Sequence, residues 1–243
     1  MRERLDTILQ KRLNLTRSQA QTLIREGKVF DKNGVCLDKP GMKVPPNIEL
    51  KVVQDLKYVS RGGIKLEHAL NYFNINVKNK IAIDVGASTG GFTDCLLQFG
   101  VLKVYAVDVG YGQLAWKLRV NPRVVVMERC NIRYLNPDQL PEKPNFFTID
   151  CSFISLKLIL PKIVELVETP AEGVVLIKPQ FEAGKVYVEK GGVVKKPEVI
   201  NKVVQEIVNF AEGLGFKVQG VVPSPILGPA GNKEYLAYLT LNR

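Results

Sequence analysis

The stretch Ile81-Ala-Ile-Asp-Val-Gly-Ala-Ser-Thr-Gly-Gly-Phe92 constrains the fold more than any other part of the chain. Its first residues are apolar and β-branched, which predicts a buried strand. They pass into Gly86-x-Ser88-x-Gly90-Gly91, and an apolar helical pattern begins at Phe92. A strand, a glycine turn and a helix in that order let a ligand approach main-chain N–H groups with no Cβ in the way. Neither G-x-G-x-x-G nor G-x-x-x-x-G-K-[ST] is present, so the dinucleotide and P-loop fingerprints are excluded. Asp84, closing the strand, would repel a diphosphate. The turn suits a cationic or neutral ligand, and S-adenosylmethionine, with its amino group and sulfonium, has the matching charge. A glycine turn that holds no ligand is the plainer alternative.

From this point strands and helices alternate, the pattern of a doubly wound sheet. Strands are predicted at Ile81–Val85, Lys103–Val107, Val124–Met127, Asn145–Ile149, Val174–Ile177, Phe216–Val222 and Tyr235–Leu241. Helices fit Phe92–Phe99, Leu156–Val167 and Glu198–Leu214, and the last two strands read as an antiparallel pair. Ligands of such sheets bind outside the carboxyl ends of the strands. Asp84, Asp108, Asp150 and Lys178 stand at four of those ends, and an antiparallel last strand brings Glu234 to the same rim. Asp108, about 20 residues after the glycine turn, is spaced to accept hydrogen bonds from ribose hydroxyls. Any one of these is an ordinary solvated strand-end charge; five on one rim are not.

The first 56 residues follow a different plan. Leu5, Ile8, Leu9 and Leu13 share one helical face. A second helix is predicted after Thr16 as N-cap, with Ala20, Leu23 and Ile24 inward, Arg17, Gln21 and Arg25 outward, and Gly27 as its stop. A strand, an Asn33-Gly34 turn and a return strand follow, with a further strand at Ile48–Val53. Residues 57–63 read as a linker in which Gly62 and Gly63 break regular structure. A helix carrying Ile64, Leu66, Ala69, Leu70 and Phe73 then leads into the second domain, 64–243.

The net charge of +10 points to a polyanionic partner, most simply nucleic acid. Four scattered cysteines and one histidine argue against a zinc site or a disulfide framework. No apolar run approaches a membrane span and the charged N-terminus does not resemble a signal peptide, so a cytoplasmic location is expected.

The small N-terminal unit resembles the RNA-binding module named after ribosomal small-subunit protein four. The resemblance rests on Arg4-Leu-Asp, the Thr-Arg-Ser-x-Ala helix and Gly27-x-Val29. The larger unit resembles the FtsJ type of Rossmann-like methyltransferase, a mostly parallel α/β sheet with its last strand antiparallel. The combination is similar to the TlyA family of rRNA cytidine-2′-O-methyltransferases, also labelled hemolysins. Val59-Ser-Arg-Gly-Gly-x-Lys-Leu66, Asp84 to Thr93, Asp150-x-Ser-Phe-Ile-Ser155, Ile177-Lys-Pro-Gln-Phe-Glu182, Lys190-Gly-Gly-Val193 and Gly231-Asn-Lys-Glu234 carry it.

This resemblance implies a catalytic tetrad of Lys65, Asp150, Lys178 and Glu234. It implies S-adenosylmethionine as cofactor, with contacts at Asp84, Gly86, Ala87, Ser88, Thr89, Gly90, Gly91, Phe92, Asp108, Asn131 and Asp150. RNA contacts are implied at Arg4, Arg17, Arg25, Lys28, Arg61 and Arg133, with ribosomal RNA as partner and no membrane or metal. The short extensions beyond Arg4-Leu-Asp and the last strand match the branch associated with large-subunit rRNA.

A ribose 2′-hydroxyl needs a base, and lysine serves only if its pKa falls below the usual 10.4. Lys178 is assigned that part, its pKa expected to be lowered by Lys65 and by burial, with Asp150 and Glu234 orienting the lysines and the hydroxyl. Three rivals are weaker. Amino methylation uses an [Asn/Asp]-Pro-Pro-aromatic loop, and Asp150-Cys-Ser-Phe153 lacks both prolines; carbon-5 methylation needs a nucleophilic cysteine, and Cys151 lacks its Pro-Cys context. A membrane-active cytolysin has no span or strongly amphipathic exposed helix to support it. An idle RNA-binding protein would not need the tetrad.

Overall fold

A computed structural model describes residues 2–53 and 57–242. The chain divides into two compact units between Arg61 and Gly62. The expected boundary at residue 56 lies outside the described residues.

The first unit runs β1 (Glu3–Arg4), α1 (Leu5–Leu13), α2 (Arg17–Arg25), β2 (Val29–Asp31), β3 (Lys43–Val44) and β4 (Leu50–Val52). Thr16 caps α2 in a reciprocal box with Gln19, and Gly27 closes it at a φ of +70°. Leu5, Ile8, Leu9, Ala20, Ile24 and Val29 form the core. Leu13, expected on the buried face, is exposed at the end of α1, where the helix turns away through Asn14 in a left-handed conformation. The predicted return strand after Gly34 is a single bridge, Phe30 to Cys36. The side chain of Asp31 accepts from the N–H groups of Asn33 and Val35 in the turn. Backbone bonds from Asp31 to Val35 and from Leu37 to Val29 flank the bridge, and β2 pairs with β4 as well.

The second unit comprises α3 (Gly62–Tyr72), β5 (Ile81–Val85), α4 (Gly91–Gln98), β6 (Lys103–Val107), α5 (Trp116–Arg119), β7 (Val124–Met127), β8 (Phe146–Ile149), α6 (Leu160–Leu166), β9 (Ala171–Ile177), α7 (Pro179–Glu182), α8 (Pro197–Gly213), β10 (Lys217–Pro223) and β11 (Tyr235–Leu241). Its seven-stranded sheet has the order β10-β11-β9-β8-β5-β6-β7, and only β11 runs against its neighbours. The strands of the centre are buried on both faces, as their continuous apolar runs require. Gly62 and Gly63 do not break structure; they open α3. N–H groups in a first helical turn have no partner within the helix in any case, so glycine is tolerated there far better than in a helix interior. Among the described residues no helix is long and apolar enough to cross a membrane.

Candidate active site

The carboxyl ends of β5, β6, β8 and β9 open on one rim. Beside it lies a cavity of about 360 Å³, lined among others by Gly86, Ser88, Asp108, Asn131, Asp150 and Phe153. Gly86 sits at φ +82°, and a Cβ on it would fall 2.6 Å from the Asp150 carbonyl oxygen, so no other residue allows this crossing of the two strand ends. Ser88 and Gly110 donate their backbone N–H groups to the two oxygens of Asp108, at 2.8 and 2.7 Å. That grip fixes the carboxylate at the cavity while leaving further lone pairs to accept. Asn131 is held by the turn it caps, its Oδ1 accepting from the Arg133 N–H at 3.2 Å.

The other residues expected to touch the cofactor stand behind this wall. Asp84 is fully buried and accepts from the hydroxyls of Thr93 at 2.6 Å and Thr148 at 2.8 Å. With both oxygens bonded and no exposed surface, the carboxylate holds α4 and β8 to β5. A Cβ on Gly90 would strike the Leu118 and Leu114 side chains, so that glycine serves packing. Ala87, Gly91 and Phe92 are buried, and the Thr89 carbonyl accepts from Ala115.

Burial pushes Asp84 up to about 6, against the lowering by both threonines, and Asp150 adds to the rise. The folded protein thus takes up a proton more readily than the unfolded chain, whose aspartates titrate near 3.9. The resulting stability is complete below about pH 4 and is lost as pH rises through about 6. Asp84→Asn is expected to gain on the wild type by up to about 3 kcal/mol between pH 4 and pH 7. Unfolding midpoints at the two pH values check this, and parallel profiles would remove Asp84 as the source.

The four tetrad candidates meet as two ion pairs, buried except for the partly exposed Asp150. Lys65 Nζ on α3 lies 2.6 Å from Glu234 Oε2 at the start of β11, and Lys178 Nζ lies 2.5 Å from Asp150 Oδ1. Both lysines are 7% exposed and Glu234 is 2% exposed. Burial alone would lower Lys178, but the charges of Asp150 and Glu234 outweigh it and hold the ammonium above its ordinary range. The expected lowering is therefore corrected: two carboxylates close by beat one neighbouring lysine. Burial likewise pushes Asp150 up, and Lys178 and Lys65 bring it below the usual carboxylate value.

Three further residues shape the tetrad. Lys178 donates to Ser152 Oγ at 3.1 Å, and Gln180 Nε2 donates to Glu234 Oε1 at 3.3 Å. A Cβ on Gly228 would lie 2.1 Å from Glu234 Oε1. Ser152 and Gln180 fall inside the sequence motifs without any mark of their own; Gly228 reads as one more loop glycine.

The expected RNA contacts divide. Asp6, fully buried, accepts from Arg4 through two bonds at 2.9 and 2.8 Å, from Gln21 at 2.9 Å and from Arg17 at 3.4 Å. The Arg4 guanidinium chiefly holds this carboxyl well below the usual range, with burial opposing and Gln21 and Arg17 helping. Arg4 and Arg17 thus brace the small unit. Lys28 pairs with Glu26 at 2.8 Å, and the Arg61 side chain packs on Gly27. Arg25 is exposed, and Arg133, also exposed, lies over the Tyr134 ring at 5.2 Å.

A profile described as FtsJ-like methyltransferase matches residues 58–241, and one described as S4 domain matches residues 3–49. A Bacillus subtilis protein, provisionally named an rRNA methyltransferase, is 50% identical over 241 residues, 98% of this chain and 85% of its own. The 16S/23S rRNA (cytidine-2′-O)-methyltransferase TlyA of Mycobacterium tuberculosis is 45% identical, covering 98% of this chain and 90% of its own. A solved structure of a provisionally named hemolysin from Streptococcus thermophilus aligns with a TM-score of 0.78 at 47% identity, over 99% of this chain and 89% of that one. The chain belongs to the FtsJ-like methyltransferase family, in the group that includes TlyA, and it carries an S4 domain ahead of the methyltransferase unit.

Proposed function

We propose that this protein transfers the methyl group of S-adenosylmethionine to the 2′-hydroxyl of a cytidine in ribosomal RNA, in the large subunit. The observation that carries the reading is the pair of lysine–carboxylate contacts, Lys65–Glu234 and Lys178–Asp150, the second of which reaches a cavity with two acidic walls through Asp150. The relatives' names supply the rRNA and the cytidine.

The cavity suits the cofactor on its own chemistry. Asp108 and Asp150 give it negative charge, and the missing side chain of Gly86 keeps it open. Asp108, Asn131, Ser88 and Gly86 are the residues that would hold the adenosyl end. When bound, the cofactor supplies a methyl group on a positively charged sulfur. Lys178 faces the proton of the attacking hydroxyl, and its neutral form is the acceptor. Asp150 and Ser152 fix the direction of its nitrogen, while Glu234 and Gln180 fix Lys65 beside it. Most of the acceleration then comes from alignment. Burial pushes the Cys151 thiol up to about 12, and it points at the Val85 carbonyl, which disfavours carbon-5 chemistry.

Incubation with labelled cofactor and ribosomal RNA, followed by nucleoside digestion, should yield 2′-O-methylcytidine and a reverse-transcription stop at low dNTP. Label on a base, or none, refutes the reading; label confined to small-subunit rRNA refutes the subunit.

Asp108→Ala should weaken cofactor binding by about 10- to 100-fold, the loss of a charged hydrogen bond, with circular dichroism unchanged. Calorimetry giving the wild-type affinity would remove Asp108 from the site. In the small unit, Arg25→Glu should weaken RNA binding and reduce its salt slope by about 1 without loss of stability. Arg4→Glu should instead unfold that unit, because it leaves Asp6 buried without its main partner. Thermal unfolding and filter binding of the two variants separate the roles.

A further inference from the structure

The motif Lys190-Gly-Gly-Val193 has no part in the chemistry above. It lies in the segment Gly184–Lys196, which carries four lysines and one glutamate. Glu189 and Val193 bridge, so the segment doubles back as a short arm. Lys195 lies 2.8 Å from Glu189, while Lys185, Lys190 and Lys196 are exposed. At the near end of the arm Val186 and Tyr187 are also exposed, at 92% and 50%. Lys185 and Val188 line a cavity of about 490 Å³ together with Phe153, Gln180 and Phe181, and the Phe181 ring lies 5.9 Å from Lys178 Nζ. The arm therefore stands beside the reacting end of the site, opposite the cofactor cavity across Phe153.

Its attachment is specific. Asn232 is 2% exposed; its Oδ1 accepts from the Val194 N–H at 3.1 Å and its Nδ2 donates to the Gly192 carbonyl at 2.8 Å. The Asn232 carbonyl accepts from the Gly228 N–H at 2.9 Å. Gly228 is the residue whose bare Cα makes room for Glu234, and Asn232 stands two positions before that glutamate. One buried amide thus ties the arm to the strand that carries Glu234. Below it, Val194 packs with Val188, Val199, Ile200 and Tyr235.

We propose that the Gly184–Lys196 arm is a second RNA contact, in which Lys185, Lys190 and Lys196 grip phosphates flanking the target nucleotide, and that Asn232 is the positioning residue that fixes this grip relative to Glu234. The inference rests on the proposed RNA substrate and adds to it where that substrate is held. Lys185, Lys190 and Lys196 are three exposed cations on one short arm, each able to neutralise one phosphate. An amide suits the anchor because it must accept from Val194 and donate to Gly192, at the turn and returning limb of the arm; aspartate could only accept.

The test is filter binding of transcribed large-subunit rRNA to the full chain over a range of salt. Replacing Lys185, Lys190 and Lys196 together by glutamine should weaken binding at least about tenfold. It should also lower the salt slope by about 2 to 3, near 0.7–0.9 for each phosphate that is no longer neutralised. Cofactor affinity by calorimetry should stay at the wild-type value. Asn232→Ala should lower the slope in the same way and slow single turnover at saturating RNA, again with cofactor affinity kept. Loss of packing alone would not move a salt slope. A triple variant with wild-type affinity and slope overturns the RNA grip, and Asn232→Ala with wild-type slope and rate overturns the anchor. Binding needs no turnover, so a wild type that binds but never methylates rRNA defeats the proposed activity and leaves the arm standing.

Discussion

Replacing Lys178 by alanine should lower the single-turnover rate by roughly 10³-fold, within the range of about 10²–10⁴ for a positioned acid or base. Cofactor and RNA binding should survive. Lys178→Arg should be nearly as poor, since guanidinium keeps the charge but does not deprotonate near neutral pH. A retained rate for arginine would remove the base role and leave charge stabilisation. The geometry adds a pH signature. Asp150 and Glu234 hold Lys178 above its ordinary value, despite burial, so the neutral amine is scarce at pH 7. The wild-type rate should therefore climb with pH across the neutral range, about tenfold per unit. Asp150→Asn removes the partner at 2.5 Å and should shift that climb to lower pH. A flat wild-type profile would mean that another group takes the proton. Lys65→Ala combined with Lys178→Ala should be little worse than the poorer single variant, because the groups act as a unit.

A single methyl group should be almost as damaging at Gly228. An alanine Cβ there would lie 2.1 Å from Oε1 and 2.3 Å from Cδ of Glu234, far inside van der Waals range. The carboxylate has to leave, Lys65 loses its partner at 2.6 Å, and a buried ammonium remains. Gly228→Ala should therefore lose on the order of 10²-fold in rate and about 1–3 kcal/mol in stability, the usual penalty for overpacking. Cofactor affinity should change little. Glu234→Asp shortens the offending side chain, so the double variant Gly228→Ala, Glu234→Asp should recover part of the loss. A double variant no better than Gly228→Ala alone would mean that the loop, not the carboxylate, has been disturbed.

How far the sequence could be read depended on what each residue answers to. Strands β5, β6, β7 and β11 matched their predicted limits. Buried at nearly every position, β5 and β6 need unbroken apolar runs, and the edge strand β7 and the alternating β11 are apolar enough to show the same limits. The motifs singled out four residues that the fold brings together as Lys65–Glu234 and Lys178–Asp150, and the sheet's antiparallel β11 brings Glu234 to the rim as expected. The two-residue strands β1 and β3 were not, since their pairing is set by distant partners and no periodicity fits in two positions. Asp6 stood in the sequence only as part of the Arg4-Leu-Asp motif; the folded unit shows Arg4, Arg17 and Gln21 closing over it. Asp84 looked like a ligand for the cofactor because its two threonine partners, Thr93 and Thr148, come from separate elements. The protonation of Lys178 was misjudged for a related reason: residue types give the neighbours of a charge, and distances decide which neighbour wins.

The position of β11 has a consequence for how the protein is made. It is the last strand along the chain, yet it lies inside the sheet, with β9 on one side and β10 on the other. Until the ribosome has released it, β10 has no strand to pair with, and the Val174–Ile177 part of β9 offers an open apolar edge. Such edges recruit other chains. The nascent protein should therefore be most prone to aggregation while β9 and β10 are out of the ribosome and β11 is not, and the same late insertion delivers Glu234 to Lys65, so solubility and activity arrive together.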